Sequence, residues 1–189
     1  MLSSFARVLV KLCGWRMIGQ PPDIPKYMIV FAPHTSNWDL PIGYAFGKAF
    51  ELDPSWIGKH LLFRPPFGIL FRWMGGIPVD RRSRNNAVDQ VIQAFNKRER
   101  LVLAITPEGT RKKTSHWKTG FYYIALGAHV PIQLAFLDYR RKVGGFGPVI
   151  MPSGDLDADL SIMRDFFSGI SGKYPDQAGD IQIADSKAD

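Results

Sequence analysis

Three short runs of almost entirely apolar residues constrain the fold of this chain more than any other feature of its sequence. They lie at residues 27–32, 101–105 and 130–137. None of the three alternates between apolar and polar side chains, as a half-exposed strand would. Each is therefore typical of a strand that is buried on both faces, the kind found in parallel sheets.

Helical stretches alternate with these strands. Two shorter strand candidates lie at residues 56–59 and 76–79, and the helical stretches cover residues 39–50, 61–73, 85–97, 117–127 and 160–170. With 189 residues, of which 46% are hydrophobic, the chain can build one core. The pattern predicts an α/β fold: a single domain over residues 21–170 with a mostly parallel central sheet flanked by helices.

The first 20 residues predict an N-terminal amphipathic helix. Its polar stripe is Ser3, Ser4, Arg7, Lys11 and Gly14, and its apolar face is Leu2, Phe5, Val8, Leu9, Leu12, Trp15 and Met17. Such a helix either lies in a bilayer interface or packs on the core. The charged side chains of the first 20 residues argue against a signal peptide, and no membrane span is expected in the chain.

Charge divides the chain unevenly. Residues 1–153 carry 21 lysines and arginines against 9 aspartates and glutamates, whereas residues 154–189 carry 3 against 8. The basic body should attract phosphate-bearing partners such as nucleic acid, anionic lipid or a phosphorylated small molecule, although such charge also serves solubility alone. The polar residues 171–189 predict a disordered acidic tail without a catalytic role.

The single cysteine, Cys13, excludes a disulfide framework and a cysteine-based zinc site. It fits a reducing compartment.

Polar residues follow the first buried run. His34 and Asp39 are five residues apart across a predicted strand-to-helix turn. The carboxylate could accept a hydrogen bond from one ring N–H and leave the other nitrogen as a base. The alternative is that Asp39 caps the following helix and His34 is an ordinary turn residue.

Two further segments carry cations at strand ends, where open α/β sheets bind their ligands. After the second buried run come Glu108, Gly109, Thr110 and Arg111, with Lys118 downstream. Glycine permits close backbone approach, and an arginine fork suits phosphate. The other segment contains Gly75 and Gly76 and reaches Arg81. Taken singly, these segments could be a solvated charge run and a surface turn.

Together these motifs resemble the glycerophospholipid acyltransferases, the family of 1-acylglycerol-3-phosphate and glycerol-3-phosphate O-acyltransferases. His34 and Asp39 match its first block, H-x-x-x-x-D, and residues 107–111 match its third block, P-E-G-T-R, in full. The Gly-containing strand that ends in arginine, and the downstream K-x-G, are matched too. The fourth block, V-P-I-x-P, is matched only in part, because Leu134 replaces its second proline. The resemblance covers residues 27–137.

The resemblance implies that the chain transfers a fatty acyl group from a thioester, either acyl-CoA or acyl-carrier protein, to a hydroxyl of a phosphorylated glycerol or lysolipid. His34 would be the catalytic base and Asp39 would orient it. Arg81, Arg111 and the Thr110 region would bind the phosphate. Glu108 would bind the glycerol hydroxyls or hold an arginine. Gly109 and Lys118 complete the expected substrate-binding set, and neither a metal nor a resident cofactor is expected.

The resemblance also implies peripheral binding to an anionic membrane, on the inner face in the cytoplasm. The apolar residues 61–71 are expected in the core, with a wall of the acyl site or a membrane-facing segment as the alternative. Two rival functions use the same basic surface: lipid binding without catalysis, and nucleic-acid binding. A metal hydrolase is disfavoured, because no second ligand pair lies near His34 in the sequence.

Overall fold

Seven strands and six α-helices build the described part of this computed structural model, which comprises residues 2–80, 84–179 and 181–182. In chain order they are α1 (Leu2–Leu12), β1 (Arg16–Ile18), β2 (Lys26–Phe31), α2 (Asp39–Ala49), β3 (Ser55–Lys59), α3 (Gly68–Trp73), β4 (Gly76–Val79), α4 (Arg84–Asn96), β5 (Leu101–Ile105), α5 (Gly120–Gly127), β6 (Ile132–Asp138), β7 (Val143–Ile150) and α6 (Leu156–Phe167). Short 3₁₀ helices cover His60–Phe63 and Pro175–Gln177.

The strands form one sheet in the order β1-β7-β6-β2-β5-β3-β4. The five strands from β6 to β4 are parallel, and β7 is antiparallel to β6. The three apolar runs form the adjacent strands β6, β2 and β5 at the centre, which confirms the predicted α/β domain with a mostly parallel sheet. Sequence analysis did not predict β7, because Gly144, Gly145 and Gly147 interrupt its apolar pattern.

Helices cover both faces of the sheet. On one face, α4, α5 and α6 bury side chains that include Phe95, Phe121 and Met163. On the other face, α2 packs Phe46 against Leu137 of β6. The carboxyl ends of the parallel strands therefore emerge between two helical layers, at one edge of the sheet.

The N-terminal helix is shorter than predicted. It ends at Leu12, and Gly14 turns the chain with a φ of 77° into β1, which pairs with β7. Glycine adopts this left-handed conformation without strain. Trp15, predicted on the apolar face of the helix, is instead buried against the rings of Phe46 and Tyr139.

Both interpretations of α1 describe part of its surface. Ala6 and Val10 are buried where α1 packs against α2, and Arg7 donates to the Ala49 carbonyl and to Glu51. The remaining apolar side chains are exposed: Leu2, Phe5, Val8, Leu9 and Leu12. No helix within the described residues is both long enough and apolar enough to cross a membrane.

The segment from residue 61 to residue 73 does not form the single helix that was predicted. A 3₁₀ helix ends at Phe63, and Pro65 and Pro66 separate it from α3 because proline cannot continue a helix. The expectation that this segment lies in the core was also wrong. Phe63 is buried, but the other large apolar side chains of residues 61–70 are exposed: Leu61, Leu62, Phe67, Ile69 and Leu70.

The described residues of 171–182 lie against the domain, which differs from the disordered tail predicted for 171–189. The Tyr139 N–H donates to the Ser171 carbonyl, and the Trp117 N–H donates to the Gln182 carbonyl. Backbone hydrogen bonds and the packing of Ile181 against the main core hold this mostly polar segment, whose composition alone gave no sign of them.

Candidate active site

Two neighbouring strands bring the first and third motif blocks together. Strands β2 and β5 are parallel and paired, so the loops that follow them meet at the same edge of the sheet. The His34 N–H donates to Oε1 of Glu108 over 3.0 Å, and this hydrogen bond joins the two loops.

His34 and Asp39 form the pair that the sequence predicts. Nδ1 of His34 lies 2.9 Å from Oδ2 of Asp39. Asp39 is the first residue of α2, yet its side chain reaches back into the preceding loop, where Oδ2 also accepts from the Thr35 and Ser36 N–H groups at 3.0 Å. The carboxylate therefore shapes the loop and holds the imidazole, and it is no mere helix cap.

Tyr139 is a third member of this network, and sequence reasoning missed it. Its hydroxyl donates to Oδ1 of Asp39 over 2.6 Å. Tyr139 follows β6, the other neighbour of β2, so the residue after that strand end arrives at the same edge of the sheet. The order of the strands would have pointed to it, but nothing near Tyr139 in the sequence does.

The network favours ionised Asp39 beside a defined imidazole tautomer. Burial alone would raise the pKa of Asp39, but hydrogen bonds, above all those from His34 and Tyr139, outweigh it and hold this pKa below its ordinary value. Burial and the bond to Asp39 raise the pKa of the Tyr139 hydroxyl, so it remains a donor. With Nδ1–H donated to the carboxylate, Nε2 of neutral His34 is left to accept a proton.

The third block forms a tight turn around Gly109. The Gly109 N–H donates to Thr106, and the φ of Gly109 is 64°. A Cβ at this position would lie 2.8 Å from Nζ of Lys118. Glycine is therefore needed for the left-handed turn and also for the close approach of the Lys118 ammonium to the turn backbone.

The structure brings most of the predicted binding cations into one cavity. Arg111 and Lys118 line the same cavity as His34, Asp39 and Gly109. Neither cation forms an ion pair within the described residues. Thr110 does not line this cavity, and its hydroxyl oxygen accepts from the Lys112 N–H. Arg81, the remaining predicted phosphate ligand, lies outside the described residues.

Glu108 differs from its expected role. Glu108 is 6% exposed and does not line this cavity. It also pairs with no arginine in the described part of the chain. Its Oε2 has no partner there, and burial raises its pKa to about 7 even though it accepts the hydrogen bond from the His34 N–H. In this structure Glu108 connects the two loops, while other residues of these loops line the cavity.

The main cavity has a volume of about 1160 Å³ and is mostly apolar. Apolar side chains from both faces of the sheet line it: Phe31, Phe46, Phe50 and Phe146 on the α2 face, and Val91, Phe121 and Ile124 on the face of α4 and α5. A base and two cations therefore line a mostly apolar space, an arrangement suited to an amphipathic ligand. Within the described ranges, no group of three His, Cys, Asp or Glu side chains is placed to hold a metal ion.

The sequence of the chain matches a known protein family. The model of the Acyltransferase family matches residues 20–134, and the chain belongs to this family.

Two curated relatives show the extent of the similarity. The chain is 32% identical over 122 residues to the 1-acyl-sn-glycerol-3-phosphate acyltransferase of Escherichia coli, which is 60% of this chain and 48% of the relative. It is 36% identical over 136 residues to the enzyme of the same name from Haemophilus influenzae, which is 66% and 54% of the two chains. The chain thus spans about half the length of the curated relatives it matches.

The fold itself has a solved counterpart. The crystal structure of the 1-acyl-sn-glycerophosphate (LPA) acyltransferase PlsC from Thermotoga maritima superposes with a TM-score of 0.57, covering 86% of this chain and 73% of that one at 18% identity. At this identity the similarity concerns the fold alone.

Proposed function

We propose that the chain is an O-acyltransferase that moves a fatty acyl group from a thioester to a hydroxyl of a phosphorylated glycerol, with a 1-acylglycerol 3-phosphate as the favoured acceptor. The observation that carries this proposal is that the His34–Asp39 pair, Arg111 and Lys118 line one mostly apolar cavity. The base suits a hydroxyl, the cations suit a phosphate, and the apolar walls suit an acyl chain.

In the proposed reaction the acceptor hydroxyl lies against Nε2 of His34. As the hydroxyl oxygen attacks the thioester carbonyl carbon, its proton passes to Nε2, and Asp39 stabilises the imidazolium. The tetrahedral intermediate then collapses. Its C–S bond breaks, the ester remains, and the leaving thiolate takes the proton from His34.

A panel of donors and acceptors tests this function. Purified protein is offered radiolabelled acyl-CoA or acyl-carrier protein with glycerol 3-phosphate, 1-acylglycerol 3-phosphate or a lysophospholipid, and mass spectrometry identifies the product. We expect an acylated phosphoglycerol that His34→Ala does not form. Lipid binding without any product would favour the non-catalytic alternative, and steeply salt-dependent binding to DNA would favour the nucleic-acid alternative.

The proposed acceptor is a lipid, and we extend the proposal to peripheral membrane binding through α1. The exposed side chains of Leu2, Phe5, Leu9 and Leu12 support this, because they form an apolar surface beside the cation of Lys11. Arg7 supports it less than the sequence suggests, because it hydrogen bonds to the end of α2.

Vesicle co-sedimentation tests this surface. Deletion of residues 1–18 would also remove β1 and the buried Trp15, so point substitutions are preferable. We expect Phe5→Ser combined with Leu12→Ser to weaken binding to anionic vesicles. Ile162→Ser, a control at an exposed position of α6 on the opposite face of the sheet, should leave binding unchanged. Equal binding by all three proteins would mean that another surface meets the lipid.

A further inference from the structure

A second, smaller cavity lies beside the candidate active site. It has a volume of about 280 Å³ and is lined by residues 35–38 of the loop after β2, by Arg111, and by Tyr174 and Gln177. Asn37 and Arg111 line both cavities, so the two spaces share a polar wall. One side of this cavity thus comes from the part of the chain for which the sequence predicts no role in the site.

The C-terminal segment, residues 171–177, is fitted closely to the loop that holds the catalytic pair. The Tyr174 N–H donates to Oγ1 of Thr35 over 3.2 Å. With its side-chain amide nitrogen turned toward them, Gln177 donates to the backbone carbonyls of Thr35 and Arg111, over 3.1 Å and 2.6 Å. A Cβ at Gly172 would lie 2.5 Å from Oγ1 of Thr35, so the Thr35 side chain leaves no room for another side chain there. The segment therefore joins the first and third motif blocks.

This segment also adds a cation. Nζ of Lys173 lies 4.8 Å from the ring centroid of Trp38 and 5.9 Å from that of Tyr174, and both of these residues line the second cavity. Neither Lys173 nor Arg111 forms an ion pair in the described part of the chain. Among the described residues no acidic side chain lines the cavity, and the nearby Asp176 is exposed.

We propose that the second cavity is a subsite for the phosphate of the acceptor, held between Arg111 and Lys173. This inference rests on the proposed function, since it places the acceptor hydroxyl at His34 and its phosphate across the shared wall formed by Asn37 and Arg111. Two cations without carboxylate partners suit the dianion of a phosphate monoester, because each can form a charge-assisted hydrogen bond with its oxygens. A lysine on a flexible stem can leave the Trp38 ring to reach that anion.

The test compares Lys173→Gln with Lys173→Arg and Lys97→Gln. Lys97 is exposed and lies between α4 and β5, at the edge of the sheet opposite the site, so its substitution changes the net charge equally without touching the cavity. Calorimetric titration with sn-glycerol 3-phosphate and with a short-chain 1-acylglycerol 3-phosphate measures binding independently of turnover. Thermal melts check that each variant is folded.

We expect Lys173→Gln to raise the Kd of both phosphate esters and the acceptor KM by about tenfold. The KM of the acyl donor should stay unchanged. Lys173→Arg should recover most of the loss, and Lys97→Gln should match the wild type.

Three results separate the two proposals. If Lys173→Gln binds both esters as the wild type does, or if Lys97→Gln loses as much, the subsite is wrong, even where acyl transfer is observed. If the wild type binds neither ester, the subsite is wrong as well. If binding depends on Lys173 but no donor yields a product, the subsite stands and the proposed acyl transfer fails.

Discussion

The carboxylate of Asp39 is buried and accepts four hydrogen bonds, whereas Arg111 and Lys118, the two cations after β5 that line the same cavity, are exposed and form no ion pair among the described residues. The catalytic side is thus arranged before any ligand arrives, and its polar groups need little reorganisation during a reaction. The cationic side keeps its charges in water until an anion takes the place of that water. We therefore expect changes on the catalytic side to affect turnover, and changes on the cationic side to affect affinity for the acceptor.

Removal of the base should have the largest effect. We expect His34→Ala to lower kcat by about 10²–10⁴-fold while the acceptor KM changes little. Asp39→Asn should also be severe, because an amide can favour the wrong tautomer of His34. The control is His129→Asn, since His129 is exposed beyond α5 and its φ of 53° suits asparagine. Folded His34→Ala with more than about a third of wild-type turnover would refute the role of the base.

The stability that Glu108 gives to the folded protein, where it links the loops after β2 and β5, should depend on pH. Burial raises the pKa of Glu108 from 4.5 to about 7, so between these values the folded protein keeps a proton that the unfolded chain releases. The free energy of unfolding should therefore fall as the pH rises through this window, by about 3 kcal/mol for this group alone. Glu108→Gln keeps an acceptor for the His34 N–H and should lack this contribution.

Urea unfolding at pH 5 and pH 8 measures the difference. The wild type should lose more stability than Glu108→Gln between these two pH values. An equal loss in both proteins would mean that Glu108 keeps an ordinary pKa when folded and that its burial has no cost.

On the cationic side, we expect Arg111→Gln to raise the acceptor KM by about tenfold to 150-fold, the value of one charged hydrogen bond. The matched control is Lys112→Gln, because Lys112 is the adjacent exposed cation and lines neither cavity. Steady-state kinetics with each substrate varied in turn separates the two KM values. If the donor KM rises while the acceptor KM stays constant, Arg111 binds the acyl donor and its assignment to the acceptor phosphate is wrong.

The smallest expected effect concerns Tyr139, which acts through Asp39 and positions it. Tyr139→Phe removes one of the four hydrogen bonds to the carboxylate, so kcat should fall by about twofold to tenfold with an unchanged acceptor KM. Tyr27→Phe is the control, since the buried Tyr27 hydroxyl has no hydrogen-bond partner among the described residues. An unaltered kcat in Tyr139→Phe would mean that its hydroxyl serves packing alone.

Much of the fold and the catalytic pair could be predicted because the information is local. The apolar runs that form β2, β5 and β6 are short continuous patterns. His34 and Asp39 are five residues apart, so one strand-to-helix turn is enough to bring them together. The turn at Gly109 depends on the conformational freedom of one residue, which the residue type itself reveals.

Tertiary structure decided the rest, because those contacts join distant parts of the chain. Tyr139 is 100 residues from Asp39, and Tyr174 is 139 residues from Thr35. Both meet the loop after β2, since β6 pairs with β2 and the C-terminal segment returns to that edge of the sheet. Backbone hydrogen bonds and close approach hold that segment, and neither leaves an apolar pattern in the sequence. Trp15 and Leu12 illustrate the same distinction on the apolar side: the sequence identifies both as hydrophobic, but only the packing of α1 and β1 buries the tryptophan and exposes the leucine.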